Sequence, residues 1–171
     1  MDESRFGMKT VLRRRITLKG CKPVTRIQDE YETTYLFGAF APQDGSAVYW
    51  ELPYLNADTF GIFLEHFTGD SQARSSHNVL LVDNAAAHHA KGLKIPKNVT
   101  LIFLPPYSPE LSPAERIWLY IKDRLAGVLF GSLDALSLDI ERVVKSSPPC
   151  VIASLTSPEW LMEIVNAQLS T

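Results

Sequence analysis

The sequence has little cysteine and no long hydrophobic run. Its two cysteines, Cys21 and Cys150, fit neither a disulfide framework nor a zinc knuckle. The longest uncharged stretch with apolar character, residues 99–109, is far shorter than the roughly 20 residues that span a bilayer. No charged head followed by an apolar core opens the chain, so no signal peptide is indicated. We therefore expect a protein of the reducing cytoplasm with no membrane partner.

The composition excludes a disordered, fibrous or low-complexity protein. Apolar residues make up 46% of the 171 residues and charged residues 21%, which is typical of folded soluble proteins. A chain of this length buries about two-thirds of its unfolded surface and needs no disulfide bond or structural metal ion to fold. No internal repeat or linker divides it, so we predict a single domain over residues 1–171.

Basic residues are absent from a long central segment and concentrated before it. Residues 27–70 contain eight acids and no Lys or Arg, whereas residues 5–26 contain eight basic residues and no acid. The net charge of −2 argues against a nucleic-acid-binding protein. A protein with this net charge can nevertheless have one strongly positive face. The alternative, which stays open, is that the basic segment is a solvated loop.

Apolar patterns predict an α/β fold with an antiparallel half and a parallel half. Residues 33–41 and 46–52 flank an Asp-Gly turn and predict an antiparallel hairpin. Residues 78–82 and 99–104 are continuous apolar runs, which indicate parallel strands buried on both faces. Residues 13–24 are predicted as a basic loop or a short strand, and residues 85–92 as a helix or turn.

Helices are predicted between and after these strands. Asn56 or Asp58 is expected to cap a helix that runs to about residue 67. Ser112, Pro113 and Glu115 predict the start of a helix that ends near residue 125, with Ser112 as the N-cap. Two further helices are predicted over residues 134–145 and 158–169.

Three acidic residues stand at positions where carboxylates do chemistry. Asp83 directly follows the apolar run 78–82, at the strand end where open α/β sheets bind ligands. Asp2 opens the first strand segment, and Glu115 lies in the first turn of a helix after a proline-rich linker. If the three converge, their oxygen ligands suit Mg²⁺ or Mn²⁺, and two such ions suit phosphodiester cleavage.

Each of these residues also has a structural interpretation. Asp2 could be a terminal surface residue, Asp83 could start a turn, and Glu115 could close a capping box on Ser112. His88 and His89 lack a third ligand at a familiar zinc spacing, so we do not expect zinc. A histidine placed near a phosphate site, or a hydrogen-bonded surface histidine, is the favoured interpretation.

Two longer strings resemble motifs of a known family. The string LVDNAAAH at residues 81–88 resembles the second-aspartate motif of mariner-like DDE transposases of the bacterial insertion-sequence branch. The string LPPYSPELSPAE at residues 104–115 is similar to the family's third-carboxylate motif. The short string DESRFG at residues 2–7 resembles its first-aspartate motif, and the segment ending at Pro23 resembles the stretch after its first strand.

The resemblance implies a fold and an activity. The family fold is RNase H-like: a mixed five-stranded sheet of order 3-2-1-4-5 flanked by helices, here with extra C-terminal helices. Asp2, Asp83 and Glu115 would be the catalytic triad that binds two Mg²⁺ ions, for which Mn²⁺ can substitute. The implied reaction is cleavage at transposon ends followed by strand transfer from the freed 3′-OH.

The resemblance also implies partners. Double-stranded DNA, as transposon ends and target, would be the substrate, and no small-molecule substrate is expected. Residues expected to contact DNA are Arg13, Arg14, Arg15, Lys19, Lys22 and His88. The full-length protein is expected to form a homodimer associated with the nucleoid.

Two departures from the family pattern shape the expectations. The 32 positions between Asp83 and Glu115 are slightly fewer than in the family, which a shorter loop over residues 92–98 would absorb. Nothing here matches the family's N-terminal helix-turn-helix region, and the first strand is expected to be truncated. We therefore expect a catalytic domain, a split-frame product or a decayed copy that is weakly active and self-associating by itself. The alternative function is an inactive RNase H-like remnant that binds DNA or supports assembly.

Overall fold

A computed structural model describes residues 1–14, 16–106, 108 and 111–169, with no account of the side chains of residues 71, 72, 168 and 169. The chain folds as a mixed α/β structure in which five strands precede four of the helices. The strands are β1 (Asp2–Gly7), β2 (Thr33–Phe40), β3 (Ala47–Leu52), β4 (Asn78–Val82) and β5 (Val99–Phe103). The helices are α1 (Ala57–Gly69), α2 (Ser71–Arg74), α3 (Ala114–Arg124), α4 (Leu133–Ser146), α5 (Pro149–Thr156) and α6 (Glu159–Leu169), and Ala86–His89 forms a 3₁₀ turn.

The predicted hairpin is confirmed. β2 and β3 pair antiparallel, and the turn between them places Gly45 at a φ of 72°. The carboxylate of Asp44 accepts the Ser46 backbone N–H at 2.8 Å and thereby stabilises this turn. On its other side, β2 pairs antiparallel with β1, and Asp2 stands opposite Gly38.

The predicted parallel pair is also confirmed, but the continuous five-stranded order 3-2-1-4-5 is not found in the described residues. β4 pairs parallel with β5 as a separate two-stranded sheet, beside the three-stranded sheet β1-β2-β3. The Met1 backbone nitrogen donates to the Leu81 carbonyl oxygen at 2.9 Å. This contact brings the beginning of β1 next to β4, where that order would place it.

Helices cover the three-stranded sheet on both faces. Helix α1 packs on one face through a core that also includes β4 and β5, and helices α3, α4 and α5 pack on the other. Asn56 caps α1 as predicted, because its side chain accepts the Thr59 N–H in a capping box. No helix among the described residues combines the length and apolar character needed to cross a membrane.

Two predictions about these elements are wrong, and one helix was missed. The two-stranded sheet is not buried on both faces, because Val79 is 57% exposed and Ile102 is 47% exposed. Helix α3 has Pro113 as its N-cap with no side-chain hydrogen bond, so Ser112 does not cap it. The eight-residue helix α5 was not predicted; it begins at Pro149, a residue that favours the first helical turn.

Candidate functional site

The structure places the three predicted carboxylates around one cleft. Asp2, Asp83 and Glu115 all line a cleft of about 490 Å³. The other lining residues are Asn84, Ala85, Leu104, Pro105, Pro106, Ser108 and Ser112. As they stand, no three His, Cys, Asp or Glu side chains of the described ranges lie close enough together to hold a metal ion. The cleft therefore gathers candidate ligands without forming a closed cage.

Asp2 is a buried residue and not a terminal surface residue. Its exposure is only 8%, because β1 directs it towards helix α3. The indole Nε1–H of Trp118 donates to Oδ2 at 3.0 Å, and the Glu3 backbone N–H donates to Oδ1 at 2.9 Å. The Ser112 hydroxyl lies 3.5 Å from Oδ2. Each carboxylate oxygen thus has a donor from the protein, which fixes the orientation of the group.

The protonation of Asp2 reflects this burial. Burial raises the pKa of Asp2 to about 6, and the negative charge of Glu3 acts in the same direction. The hydrogen bonds from Trp118 and from the Glu3 backbone favour the ionised form and limit the rise of this pKa. Near neutral pH the site therefore holds a carboxylate whose charge is poorly solvated.

Asp83 lies just beyond β4 and is more open. Its side chain is 53% exposed, and its Oδ1 accepts the Ala85 backbone N–H at 2.9 Å. This contact is an Asx turn, so the expected turn-forming role is present. The same Oδ1 lies 2.9 Å from Nδ1 of His88. Within the part of the chain that the structure describes, the second oxygen, Oδ2, carries no hydrogen bond.

His88 lies in the protein interior. It is 3% exposed, and its Nε2 is 3.0 Å from Oε1 of Glu3. Burial lowers the pKa of His88, but the hydrogen bond to Glu3 and the charges of Glu3 and Asp83 outweigh it, so the pKa is raised. The ring is enclosed, with Nε2 facing Glu3 and Nδ1 hydrogen-bonded to the Asp83 backbone carbonyl oxygen at 3.1 Å. Contact of His88 with DNA stays a prediction.

Glu115 is an exposed residue in the first turn of α3. The capping-box interpretation is wrong, because no side chain bonds to the start of this helix. Its backbone N–H donates to the Ser112 carbonyl at 3.3 Å, which starts the helical turn. Among the described residues, no hydrogen bond or ion pair fixes the Glu115 carboxylate, and Glu115, like Asp83, is an exposed candidate ligand.

His89 ends the 3₁₀ turn that follows β4. It is exposed, its Nε2 lies 3.1 Å from Oδ1 of Asn84, and its ring stacks on Phe103 with centroids 4.2 Å apart. These contacts fix the loop after β4 against the end of β5. The structure gives His89 a role in supporting Asn84, a residue that lines the cleft.

Beyond β1, the described residues of the basic segment, 8–14 and 16–26, lie outside the helices and strands. Backbone hydrogen bonds join Met8 to Glu32 and Thr10 to Gln28, so residues 8–10 and 28–32 run side by side. Arg13 pairs with Asp123 of α3. Arg14, Lys19 and Lys22 are exposed, whereas Arg15 lies outside the described residues. Contact of these residues with DNA stays a prediction.

Sequence reasoning missed two residues that surround the carboxylates. Trp118 follows Glu115 by three positions, which directs it to the inner face of α3 and onto Asp2. Glu3 faces the side of β1 opposite to Asp2 and contacts His88. The alternation of a β-strand indicated that Glu3 and Asp2 point apart, but nothing in the sequence named the partner of either.

Comparison with known proteins gives three related findings. The model of the family described as DDE superfamily endonuclease matches residues 1–137. A protein of Sinorhizobium fredii (strain NBRC 101917 / NGR234), the uncharacterized protein y4pE/y4sA, is 39% identical over 101 residues, which cover 58% of this chain and 74% of that protein.

Solved structures of the Mos1 transposase share the fold. The Mos1 strand transfer complex aligns with a TM-score of 0.69 and 18% identity over 91% of this chain and 49% of that one. The Mos1 mariner paired end complex with Mn aligns with a TM-score of 0.68 and 16% identity over 90% and 49%. The chain therefore spans about half the length of the Mos1 chains. The family model covers well over half of the sequence, and it confirms the predicted resemblance: the chain belongs to the DDE superfamily endonucleases.

Proposed function

We propose that this domain cleaves DNA at transposon ends and transfers the freed strand to a target, as the catalytic domain of a mariner-like transposase. The observation that carries the proposal is the placement of Asp2, Asp83 and Glu115 around one cleft in a DDE superfamily endonuclease. The similarity to Mos1 transposase chains supports the same reaction class.

The donor set of the cleft fits a hard divalent cation. All three candidate ligands are carboxylates, which Mg²⁺ and Mn²⁺ prefer over nitrogen or sulfur ligands. Asp83 has an oxygen without a hydrogen bond, and the Glu115 side chain is exposed, so both have capacity for a ligand. When bound, one or two such ions would supply positive charge at the scissile phosphate and increase the acidity of a water nucleophile.

The protein's own residues hold the substrate and the ligands in place. Trp118 and the Glu3 backbone orient Asp2, and the Ala85 backbone and His88 orient Asp83. The exposed basic residues Arg14, Lys19 and Lys22 provide charge for the DNA backbone. The partner is double-stranded DNA, and we propose that a second copy of the full-length protein completes the working complex.

An inactive remnant is the second candidate. The observation that favours it is the lack, within the described ranges, of three potential ligands near enough together to hold a metal ion. In that case the domain binds DNA and supports assembly but does not cleave.

A nicking assay separates the two candidates. Supercoiled plasmid carrying a transposon end is incubated with Mn²⁺ and with the wild-type protein, Asp83→Asn or the control Asp134→Asn, which changes an exposed aspartate in the first turn of α4. We expect nicking by the wild type and the control, and its loss in Asp83→Asn, because an amide supplies no charge to hold the cation. DNA binding without nicking by the wild type would instead favour the remnant.

Asp83→Asn is expected to stay folded. Its amide oxygen still accepts the Ala85 N–H, and the position is 53% exposed. A melting temperature within a few degrees of the wild type, measured without metal, is the control for this variant. A large loss of stability would identify Asp83 as a structural residue.

A further inference from the structure

We propose that His88 is a positioning residue that fixes the Asp83 carboxylate for metal binding, and that Glu3 in turn fixes His88. The inference rests on the proposed function, because it concerns how a ligand of that site is held. It adds a buried Glu3–His88 pair behind the cleft, which supports the exposed Asp83.

The geometry is defined at both ends of the imidazole. Nδ1 is hydrogen-bonded to the Asp83 backbone carbonyl oxygen at 3.1 Å and lies 2.9 Å from Asp83 Oδ1, and Nε2 lies 3.0 Å from Glu3 Oε1. The His88 side chain has no exposed surface, and the Glu3 side chain is 4% exposed. Because a backbone carbonyl oxygen only accepts, Nδ1 is the N–H donor that holds Asp83 in this arrangement.

The ring is also fixed by packing. The His88 imidazole lies against the Phe60 ring of α1, with centroids 4.3 Å apart. Glu3 is on the face of β1 opposite to Asp2, so it points away from the cleft and reaches the site only through His88. Glu3 and Phe60 therefore fix the His88 ring in the core, and the ring in turn fixes Asp83 at the cleft.

Asp83 needs such support because it is otherwise mobile. An exposed aspartate samples several side-chain rotamers, and a metal site tolerates little looseness in its ligands. The Ala85 N–H donates to Oδ1, while His88 bonds the Asp83 backbone carbonyl and places its Nδ1 2.9 Å from the same Oδ1. This arrangement leaves Oδ2 for a cation, and it resembles the outer-shell hydrogen bonds that orient ligands in metal sites generally.

Two amide substitutions separate positioning from packing. The nitrogen of an asparagine side chain is attached to Cγ, as Nδ1 is, so His88→Asn keeps a donor for Asp83. The nitrogen of a glutamine is one bond farther, as Nε2 is, so His88→Gln keeps a donor for Glu3 and fills more of the buried volume. If His88 only fills space, the Gln variant should bind Mn²⁺ better than the Asn variant. If His88 positions Asp83, the Asn variant should bind Mn²⁺ better.

The test is the dissociation constant for Mn²⁺, measured by electron paramagnetic resonance on the folded domain. We expect His88→Gln to weaken Mn²⁺ binding by about 10–100-fold, the usual effect of removing an outer-shell partner. His88→Asn should stay within about tenfold of the wild type, and Asp83→Asn should lose the site. The matched control is His77→Gln, which changes an exposed histidine whose Nε2 is 2.8 Å from the Thr100 hydroxyl, and it should bind like the wild type.

The outcomes distinguish failure of the inference from failure of the proposed function. Unchanged binding by His88→Gln, or tighter binding by Gln than by Asn, overturns the inference alone. Absence of Mn²⁺ binding by the wild type overturns the proposed function and the inference with it. If both His88 variants unfold, Glu3→Gln decides, because it keeps an acceptor for Nε2 but removes the charge. Weakening by about threefold supports the inference, and wild-type affinity overturns it.

Discussion

The proposed role of Asp2 as a metal ligand conflicts with its burial. A metal ligand must be ionised, yet this side chain is 8% exposed and burial raises its pKa to about 6. Two donors from the protein partly replace the lost solvent. In the absence of metal, the ionised carboxylate is therefore a cost to the folded state, which a bound cation would relieve.

The pH dependence of stability tests this description of Asp2. Because the folded state binds the Asp2 proton more tightly than the unfolded state does, this group's contribution to stability falls as pH rises from about 4 to about 6. Relative to Asp2→Asn, the metal-free wild type should lose on the order of 1–3 kcal/mol of unfolding free energy between pH 4 and 6.5. Urea unfolding in EDTA measures this difference.

Asp44 provides the control of opposite sign. The backbone N–H of Ser46, together with its hydroxyl, lowers the pKa of Asp44. Relative to Asp44→Asn, the wild type should therefore lose stability as pH falls through the pKa of this carboxyl. If the difference between wild type and Asp2→Asn does not vary with pH, the raised pKa of Asp2 is contradicted.

At the residue scale, the sequence predicted the carboxylates better than their surroundings. Asp2, Asp83 and Glu115 each lie in a contiguous string whose pattern indicates a strand end or a helix start. Trp118 and His88 contact Asp2 and Glu3 across 116 and 85 positions of the chain, respectively. Such contacts depend on how the elements pack, so the sequence left His88 open between a place near a phosphate site and a hydrogen-bonded surface position, and the structure buries it.

At the scale of elements, β2 must leave room for the residues that hold Asp2. Gly38 stands opposite Asp2 in the β1–β2 register. A Cβ at this position would lie 2.7 Å from Trp118 Cη2 and 2.5 Å from Phe40 Cζ. These two rings pack edge to face with centroids 5.5 Å apart. The absence of a side chain at Gly38 thus allows the indole to reach the carboxylate.

Gly38→Ala is expected to destabilise the domain and to disturb Asp2. Overpacking a buried position costs about 1–3 kcal/mol, and displacement of Trp118 would remove a hydrogen bond from Asp2. Denaturant unfolding measures the stability, and the Trp118 indole N–H resonance reports the hydrogen bond. In the control Gly61→Ala, the added Cβ meets only Leu93 at 3.8 Å, so α1 should gain up to about 1 kcal/mol. Equal effects of the two substitutions would contradict the steric argument.

The elements themselves were predictable where local signals agree. The Asp44–Gly45 turn and the apolar runs predicted the hairpin and the parallel pair. The cap of α3 was predicted wrongly because the Ser112 hydroxyl approaches Asp2 rather than the helix backbone. Burial of β4 and β5 on both faces was predicted wrongly because α3 and α5 pack against the β1–β2 side of the fold. The partner of Ser112 and the exposed faces of β4 and β5 depend on how distant elements pack together. Local sequence patterns do not show this packing.

At the scale of the whole molecule, charge is distributed unevenly. The net charge is −2, but Arg14, Lys19 and Lys22 are exposed on a segment of residues 5–26 that contains no acid. Arg13 in this segment is paired with Asp123, which reduces its capacity for phosphate. If the domain binds DNA as proposed, we expect Arg14, Lys19 and Lys22, which form no ion pair among the described residues, to contact its backbone.

The salt dependence of DNA binding tests this surface. Combined replacement of Arg14, Lys19 and Lys22 by Ala should flatten the slope of log affinity against log salt by about 0.9 for each lost phosphate contact. The control Lys145→Ala removes a cation of α4 that pairs with Glu141 at 2.5 Å and should leave the slope unchanged. Fluorescence anisotropy over a salt series gives both slopes. An unchanged slope in the triple variant would identify the segment as a solvated loop.

We propose that Asp2, Asp83 and Glu115 together bind a divalent cation in the cleft. The most direct measurement is the position of Mn²⁺ in a crystal of the domain, located by anomalous scattering. We predict a peak in the cleft within about 2.0–2.3 Å of an Asp83 oxygen and of at least one oxygen from Asp2 or Glu115. If the cleft shows no peak at millimolar Mn²⁺, or if none of these carboxylates contacts the peak, these residues do not form the proposed cation site.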